Sequence, residues 1–266
     1  MQDFHNHCCF SYDSNTPMEE NIKSAINKNL KYIAITDHCD IYSSNDNFRD
    51  NYNPDKYFET IDKLIIKYKS DIKIFKAVEM GIHPHLSYLT DKIISDYPYD
   101  FVLGSIHAIN GKDIVIDDLY TKYSLEEMYE KYYNEMKEAV KATKNFDVLS
   151  HIDYPDRYVK NSNLIPSIDY YIDDIKEIFK ILINRNQGIE LNTASIRKGL
   201  NYIHPKDKIL KLYKSMGGEI ITVGSDAHNK GDIGFFSEEA INHLKDIGFK
   251  KISIFEKRKN KFINIK

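Results

Sequence analysis

The chain has 266 residues, 42% of them hydrophobic and 29% charged, with a formal net charge of −3. That balance describes a globular chain able to bury a substantial core, and with no global basic field nucleic acid is not the expected partner. The apolar runs fall far short of the about 20 residues a membrane helix needs, MQDFHNH lacks the regions of a signal peptide, and Cys8, Cys9 and Cys39 make no disulfide framework, so a soluble, cytoplasmic chain with reduced thiols is expected.

In chain order, DFHNH reads as a short strand, followed by a helix from Pro17 to Asn29 that Thr16 and Glu19 introduce as a capping box. YIAITDH is the next strand and about Pro54 to Ser70 the next helix. IKIFKAVEM precedes a helix near 84–96, DFVLGSIH a long one from Ser124 to about Lys144, FDVLSH one near 168–185, and GIELN one near 206–216. EIITVGSDAH, the helix SEEAINHLKDIG and a weak strand KKISIF complete the order, and the Lys-rich FEKRKNKFINIK reads as a surface segment with a short final strand. No linker, low-complexity block or repeat divides the chain, so one domain spanning 1–266 is expected. Strands alternating with helices imply parallel strands joined by helical crossovers, either a β/α barrel or a doubly wound sheet, and the length fits a compact barrel.

The informative pattern is where the polar residues fall. Nearly every expected strand ends in His, Asp or Glu: His5 and His7, Asp37 and His38, Glu79, His107, His151, Glu190 and Asn192, Asp226 and His228. In a parallel barrel all strand C-termini share one face, so residues remote in sequence converge there. Residues two apart on an extended strand point the same way, which lets His5 and His7 grip one ion, and likewise Asp226 and His228. Imidazole and carboxylate donors without thiolate suit zinc, iron or manganese, and a carboxylate such as Glu79 can bridge two ions. The donors exceed what one tetrahedral ion can use, so two or three divalent metals are expected.

Taken together, the HxH of His5 and His7, the TDH ending at His38, the ExG of Glu79, GSIH, SHxD and the late GSDAH resemble the polymerase and histidinol phosphatase (PHP) superfamily. The match runs from residue 3 to 228, and SHIDYPDRY with ELNTASIRKG looks most like its histidinol-phosphate phosphatase branch. The resemblance implies a distorted seven-stranded β/α barrel, TIM-like, with a trinuclear site that hydrolyses a phosphate ester. It implies His5, His7, Glu79 and Asp226 as ligands of a first metal, Glu79, His107 and His151 of a second, and Asp13, His38 and His228 of a third. Some superfamily members carry His at the position of Asp13; carboxylate also ligates. Arg157, Arg197 and Asn192 are implied to line the phosphate pocket.

The chemistry expected is attack by a metal-activated water on a small phosphomonoester, with Glu79 and Asp226 at the metals and the two arginines gripping phosphate oxygens. Asp153, His228 or a water on a metal can protonate the leaving alkoxide. L-Histidinol phosphate is the leading substrate, its amine and imidazole meeting Asp153, Glu190 and the loop of residues 40–53. Another small phosphate, nucleotide ends, or a non-catalytic metal-binding module are the alternatives, and the oligomeric state is left open. Cys8, Cys9 and Cys39 read as small buried side chains, His83 and His85 of GIHPHL as loop or pocket wall, and His204 and His243 as surface or packing residues.

Overall fold

The computed structural model describes residues 1–41, 52–115 and 117–265. Seven parallel strands follow one another in chain order around a barrel: β1 (Gln2–Asp3), β2 (Tyr32–Ile35), β3 (Lys73–Gly81), β4 (Phe101–Ser105), β5 (Val148–Leu149), β6 (Gly188–Asn192) and β7 (Ile221–Gly224). Each pairs in parallel with its successor. Beyond the formal ends of β1 and β7 the ring is drawn together by the backbone. Phe4 N–H donates to Val223 O at 2.9 Å, Asp226 N–H to His5 O at 2.6 Å, and His7 N–H to Ala227 O at 2.8 Å. His38–Cys39 adds a short parallel pairing to the upper half of β3.

Helices α1 (Met18–Asn27), α2 (Pro54–Lys67), α3 (Ser87–Asp96), α4 (Leu125–Ala142), α5 (Ile172–Asn184), α6 (Asp207–Ser215) and α7 (Ser237–Ile247) occupy the expected stretches. Ser124 caps α4 as a complete capping box with Glu127, so the first orphan N–H groups are satisfied by side chains. The box expected at Thr16 and Glu19 does not form. Pro17 takes the N-cap position with no side-chain bond, which displaces Thr16 from the turn. Glu19 instead accepts from Lys67 at 2.7 Å and Tyr68 at 2.6 Å on α2.

Strand parity separates two layers. Ile33, Ile35, Ile74, Val78 and Val102 belong to the large cluster shared with the helices. Ala34, Phe75, Ala77, Phe101, Leu103 and Val148 form a smaller cluster inside the ring. With a period of two, the next inward positions after Ala77, Leu103 and Val148 are Glu79, Ser105 and Ser150. The barrel interior is therefore apolar at its base and polar at its C-terminal rim. The base is closed by a hairpin, β8 (Lys251–Glu256) and β9 (Lys259–Asn264), whose Ile254 and Phe255 join the inner cluster. This tail is more than a surface segment with one short strand. Its two-residue turn, Lys257–Arg258, has φ of 51° and 62°, the hairpin-favoured conformation that Asn-Gly normally announces.

Candidate metal centre and phosphate pocket

The polar rim gathers donors from both ends of the chain. His5 Nε2 lies 3.2 Å from Glu79 Oε2 and 3.7 Å from Asp226 Oδ1, and His7 Nε2 lies 3.5 and 3.4 Å from the same two oxygens. The other oxygen of Glu79 faces His107 Nε2 at 3.3 Å and His151 Nε2 at 3.0 Å. His38 Nδ1 is 3.0 Å from Glu79 Oε2. Asp13 Oδ2 lies 3.6 Å from His38 Nε2 and 2.9 Å from His228 Nε2. All nine residues expected at the metals thus form one continuous cluster with Glu79 at its centre. One expectation is altered: Asp226 does not continue an extended strand. Its φ is 54°, so it turns toward His5 and His7 while His228 turns toward Asp13.

Several residues that hold these donors were not singled out in sequence. Asp40 receives His107 Nδ1 at 3.1 and 3.2 Å. Ser11 contacts His7 Nδ1 at 3.1 Å and donates to Asp37 at 2.7 Å. Ser105 donates to Glu79 Oε1 at 2.7 Å and lies 2.5 Å from Ser150, which touches the His151 ring. A carboxylate or hydroxyl on the far nitrogen fixes the tautomer and rotation of an imidazole. The only sequence signal for Asp40 was proximity, two residues beyond His38.

Glu190 is placed among these holding residues and does not line the cleft above the cluster. It is buried, with Oε1 2.7 Å from His5 Nδ1 and Oε2 accepting from His151 N–H and the Asn192 amide, each at 3.0 Å. Asn192 is likewise buried and does not line the cleft; its Oδ1 accepts from Arg157 at 2.8 Å. Asp153 is also enclosed, accepting from Lys206 N–H at 2.9 Å. Burial, and next the neighbouring Asp156, push its carboxyl up to about 7. It is not among the residues that line the cleft over the cluster. Of the loop read for substrate contact, residues 42–51 lie outside the described residues.

A cleft of about 580 Å3 opens directly over the cluster, lined by Asp13, His38, Glu79, His107, His151, Asp226 and His228, and by both Arg157 and Arg197. A groove of about 670 Å3 at the base, beside the hairpin, contains none of these donors; size alone does not locate the chemistry. Arg157 donates to Asp226 Oδ2 at 2.6 Å and lies 5.3 Å above the Tyr154 ring. Arg197 donates to Asp226 O at 2.8 Å, and its buried Nη1 has no hydrogen-bond partner. Cys8 and Cys39 are buried and Cys9 is exposed; Cys8 donates its thiol to Asp37 at 2.9 Å. No cysteine enters a potential metal-binding group among the described residues. His83 sits near Glu135, His85 is exposed, and His243 meets Asp207 at 2.8 Å, all away from the cluster. His204 is fully buried, and its Nδ1 accepts from Arg157 Nε–H at 3.4 Å.

Three observations test whether the donors suit metal ions. First, His5 Nε2, His7 Nε2, His38 Nδ1 and Glu79 Oε2 are buried, close together, and without a hydrogen-bond partner, an arrangement that costs stability unless a cation takes their lone pairs. Second, the groups within ligating range overlap: His5, His7 and Glu79; His38, Glu79 and His107; His7, Asp13, His38 and His228. Third, the carboxylates at the centre keep their charge and are balanced by protons on neighbouring imidazoles. Burial opposes charge on Glu79, yet His5, His107 and His38 hold its carboxyl well below the usual range. Burial likewise opposes charge on His107, but Asp40 and then Glu79 raise it to about 10. His7, lowered to about 3 by burial and then by His228 and His38, and His151, lowered chiefly by burial, keep their lone pairs. The protons held by this carboxylate-rich cluster are those that bound metal would displace. The residues fit.

The PHP domain model matches residues 3–194. The chain belongs to the PHP domain family. Among PHP relatives it is 33% identical to the probable histidinol-phosphatase of Clostridium acetobutylicum, over 98% of each chain. It is 28% identical to the histidinol-phosphatase of Lactococcus lactis, over 95% of this chain and 93% of that one. The fold resembles the crystal structure of histidinol phosphate phosphatase from Lactococcus lactis complexed with zinc, L-histidinol and phosphate, with a TM-score of 0.86, 26% identity and 98% of each chain covered. The distorted barrel expected from the PHP resemblance is thus the fold observed. None of the described helices is long and apolar enough to cross a membrane.

Proposed function

We propose that this chain is a metal-dependent phosphomonoesterase that converts L-histidinol phosphate to L-histidinol and inorganic phosphate in histidine biosynthesis. The observation that carries the reading is the coincidence, in one cleft, of buried donors without hydrogen-bond partners and two guanidinium groups. The names of the relatives at 33% and 28% identity, and the zinc, L-histidinol and phosphate held by the related structure, support the substrate and the metal. Residues 1–266 are taken as one catalytic domain, because the site draws on His5 and His228 alike.

His5, His7, Glu79 and Asp226 would hold one ion, Glu79, His107 and His151 a second, and Asp13, His38 and His228 a third, with zinc, manganese or iron as candidates. Bound there, such ions would lower the pKa of water toward neutrality and offset charge on the phosphoryl group. The protein's own part is positioning. A guanidinium has five N–H donors; Asp226, Asn192 and His204 take three from Arg157, and five less three leaves two for phosphate. Arg197 adds its unpartnered Nη1. A planar fork suits two phosphate oxygens at once. As the ester P–O bond breaks, the alkoxide must gain a proton; Asp153 is enclosed, and His228 has Nδ1 facing Asp226 O at 3.0 Å and Nε2 committed to the third ion, so the proton is proposed to come from a water in the cleft.

The test is phosphate release by metal-reconstituted protein from L-histidinol phosphate, nucleoside monophosphates and other small phosphomonoesters, with Glu79→Gln as the control. Metal-dependent release with a preference of about tenfold or more for L-histidinol phosphate is expected. The same preference for nucleotides would replace the substrate, and release no greater than that of Glu79→Gln would overturn the enzymatic reading.

A further inference from the structure

Beneath the cleft lies a buried polar cluster that the chemistry above does not use: Asp153, Asp156 and His204, all fully enclosed. Its groups could suggest another metal site, but the oxygens of Asp156 are already engaged. Oδ1 accepts from Tyr129 at 2.6 Å, and Oδ2 from Tyr202 and Lys206, each at 2.7 Å. Such a carboxylate is an anchor. It ties the turn Tyr154–Tyr158, which carries Arg157, to α4 on one side and to the 202–206 segment on the other.

His204 reaches Arg157 itself. Its Nδ1 receives Arg157 Nε–H at 3.4 Å, which requires the neutral ring with its proton on Nε2. The Nε2 atom has no hydrogen-bond partner and lies 4.0 Å from Asp156 Oδ2, while Asp153 Oδ1 lies 3.8 Å from Nδ1; with a carboxylate on either side, it is the Arg157 contact that selects the tautomer. The backbone supplies the alignment. Asn192 N–H donates to His204 O at 2.7 Å and His204 N–H to Asn192 O at 3.1 Å, an isolated antiparallel bridge at the rim end of β6. Across this bridge the two side chains meet one guanidinium, Asn192 Oδ1 at Nη2 and His204 Nδ1 at Nε.

We infer that His204 is a positioning residue for Arg157: paired with Asn192 and backed by Asp156, it sets the guanidinium plane so that the two remaining N–H donors face the cleft. This rests on the proposed role of Arg157 at phosphate. Without the Nδ1 acceptor the side chain keeps its bonds to Asp226 and Asn192 but loses its anchor at Nε, so the plane is less firmly set and phosphate meets a less prealigned fork.

The experiment compares His204→Asn, whose amide oxygen falls near the place of Nδ1, with His204→Gln, whose amide falls near the place of Nε2. Both keep a polar, uncharged side chain. Hydrolysis of L-histidinol phosphate, competitive inhibition by inorganic phosphate, and bound metal are measured in each, alone and with Arg157→Ala. The Asn variant should stay within about threefold of the parent, while Gln should lose roughly tenfold in kcat/KM and in phosphate affinity with metal content unchanged. In the Arg157→Ala background the same Gln change should cost less than about twofold. Equal losses in both backgrounds, equal effects of Asn and Gln, or a loss accompanied by loss of metal would overturn the inference. Unaltered phosphate inhibition in Arg157→Ala alone would overturn the role of Arg157 itself, and that failure is visible before any His204 variant is made.

Discussion

Glu79 shows how one side chain organises the candidate site. It lies on the inward parity of β3, with Phe75 and Ala77 beneath it, and both of its oxygens meet imidazoles from different strands. Its neighbours are held in turn by a second layer that sequence does not expose. Asp40, seated on His107 Nδ1, is the clearest case. Asp40→Asn should leave the fold intact while weakening metal retention about 10- to 100-fold, the usual cost of losing an outer carboxylate, as measured by competition with a chromophoric chelator. Retention equal to the parent would show that Asp40 has no part in orienting His107. Residues legible in sequence were those whose function follows from strand-end position. Glu190, Asn192 and Asp153 also sit at or just beyond strand ends, yet they point into the holding layer, because direction depends on partners such as Lys206 and Arg157 that lie far away in sequence.

The contact between β1 and β7 makes one site from two chain ends. Gly224, the last residue of β7, makes this approach possible: a methyl group there would sit 2.3 Å from His5 Cβ and 2.4 Å from Glu190 Oε1. Both neighbours are buried, so neither has room to give. Gly224→Ala is expected to cost about 1–3 kcal/mol, the range for overpacking a filled interior, and to reduce bound metal because His5 must shift. Urea unfolding and metal analysis of the purified variant check both effects; an unchanged midpoint with full metal content would contradict the close packing. Helix positions, by contrast, follow from local signals. The Ser124 box forms as read, while Thr16 fails because Pro17 takes over the N-cap.

The whole barrel stores uncompensated polarity at one end and a plug at the other. If the rim donors await cations, removing metal with a strong chelator should lower the melting temperature and adding zinc should restore it; ligand at 1,000 times its Kd contributes about 4 kcal/mol. A melting temperature indifferent to chelator and zinc would argue against bound metal. At the base, Glu256 on the plugging hairpin accepts from Lys73 at 2.6 Å and also meets Lys261. Bonds to Lys261 and then Lys73 lower its carboxyl from 4.5 to about 2. A depressed carboxylate stabilises the fold above the unfolded value and loses that contribution as pH falls from about 4.5 toward about 2. Glu256→Gln should therefore be slightly less stable near neutrality, by ~1 kcal/mol or less for so exposed a pair, and match the parent near pH 2. Denaturant titrations across pH measure the difference; a gap that widens on acidification would reverse the assignment. From the sequence alone came the strand and helix alternation, the parity that turns Glu79 inward, and the strand-end donors, because these are properties of short periodic segments. Only the tertiary structure decided which polar residues face the cleft, that Asp40 and Glu190 orient imidazoles, and that a hairpin with a Lys-Arg turn closes the base. Those outcomes depend on contacts between residues as far apart as His5 and Glu190, and no local pattern encodes the direction from which such a partner arrives.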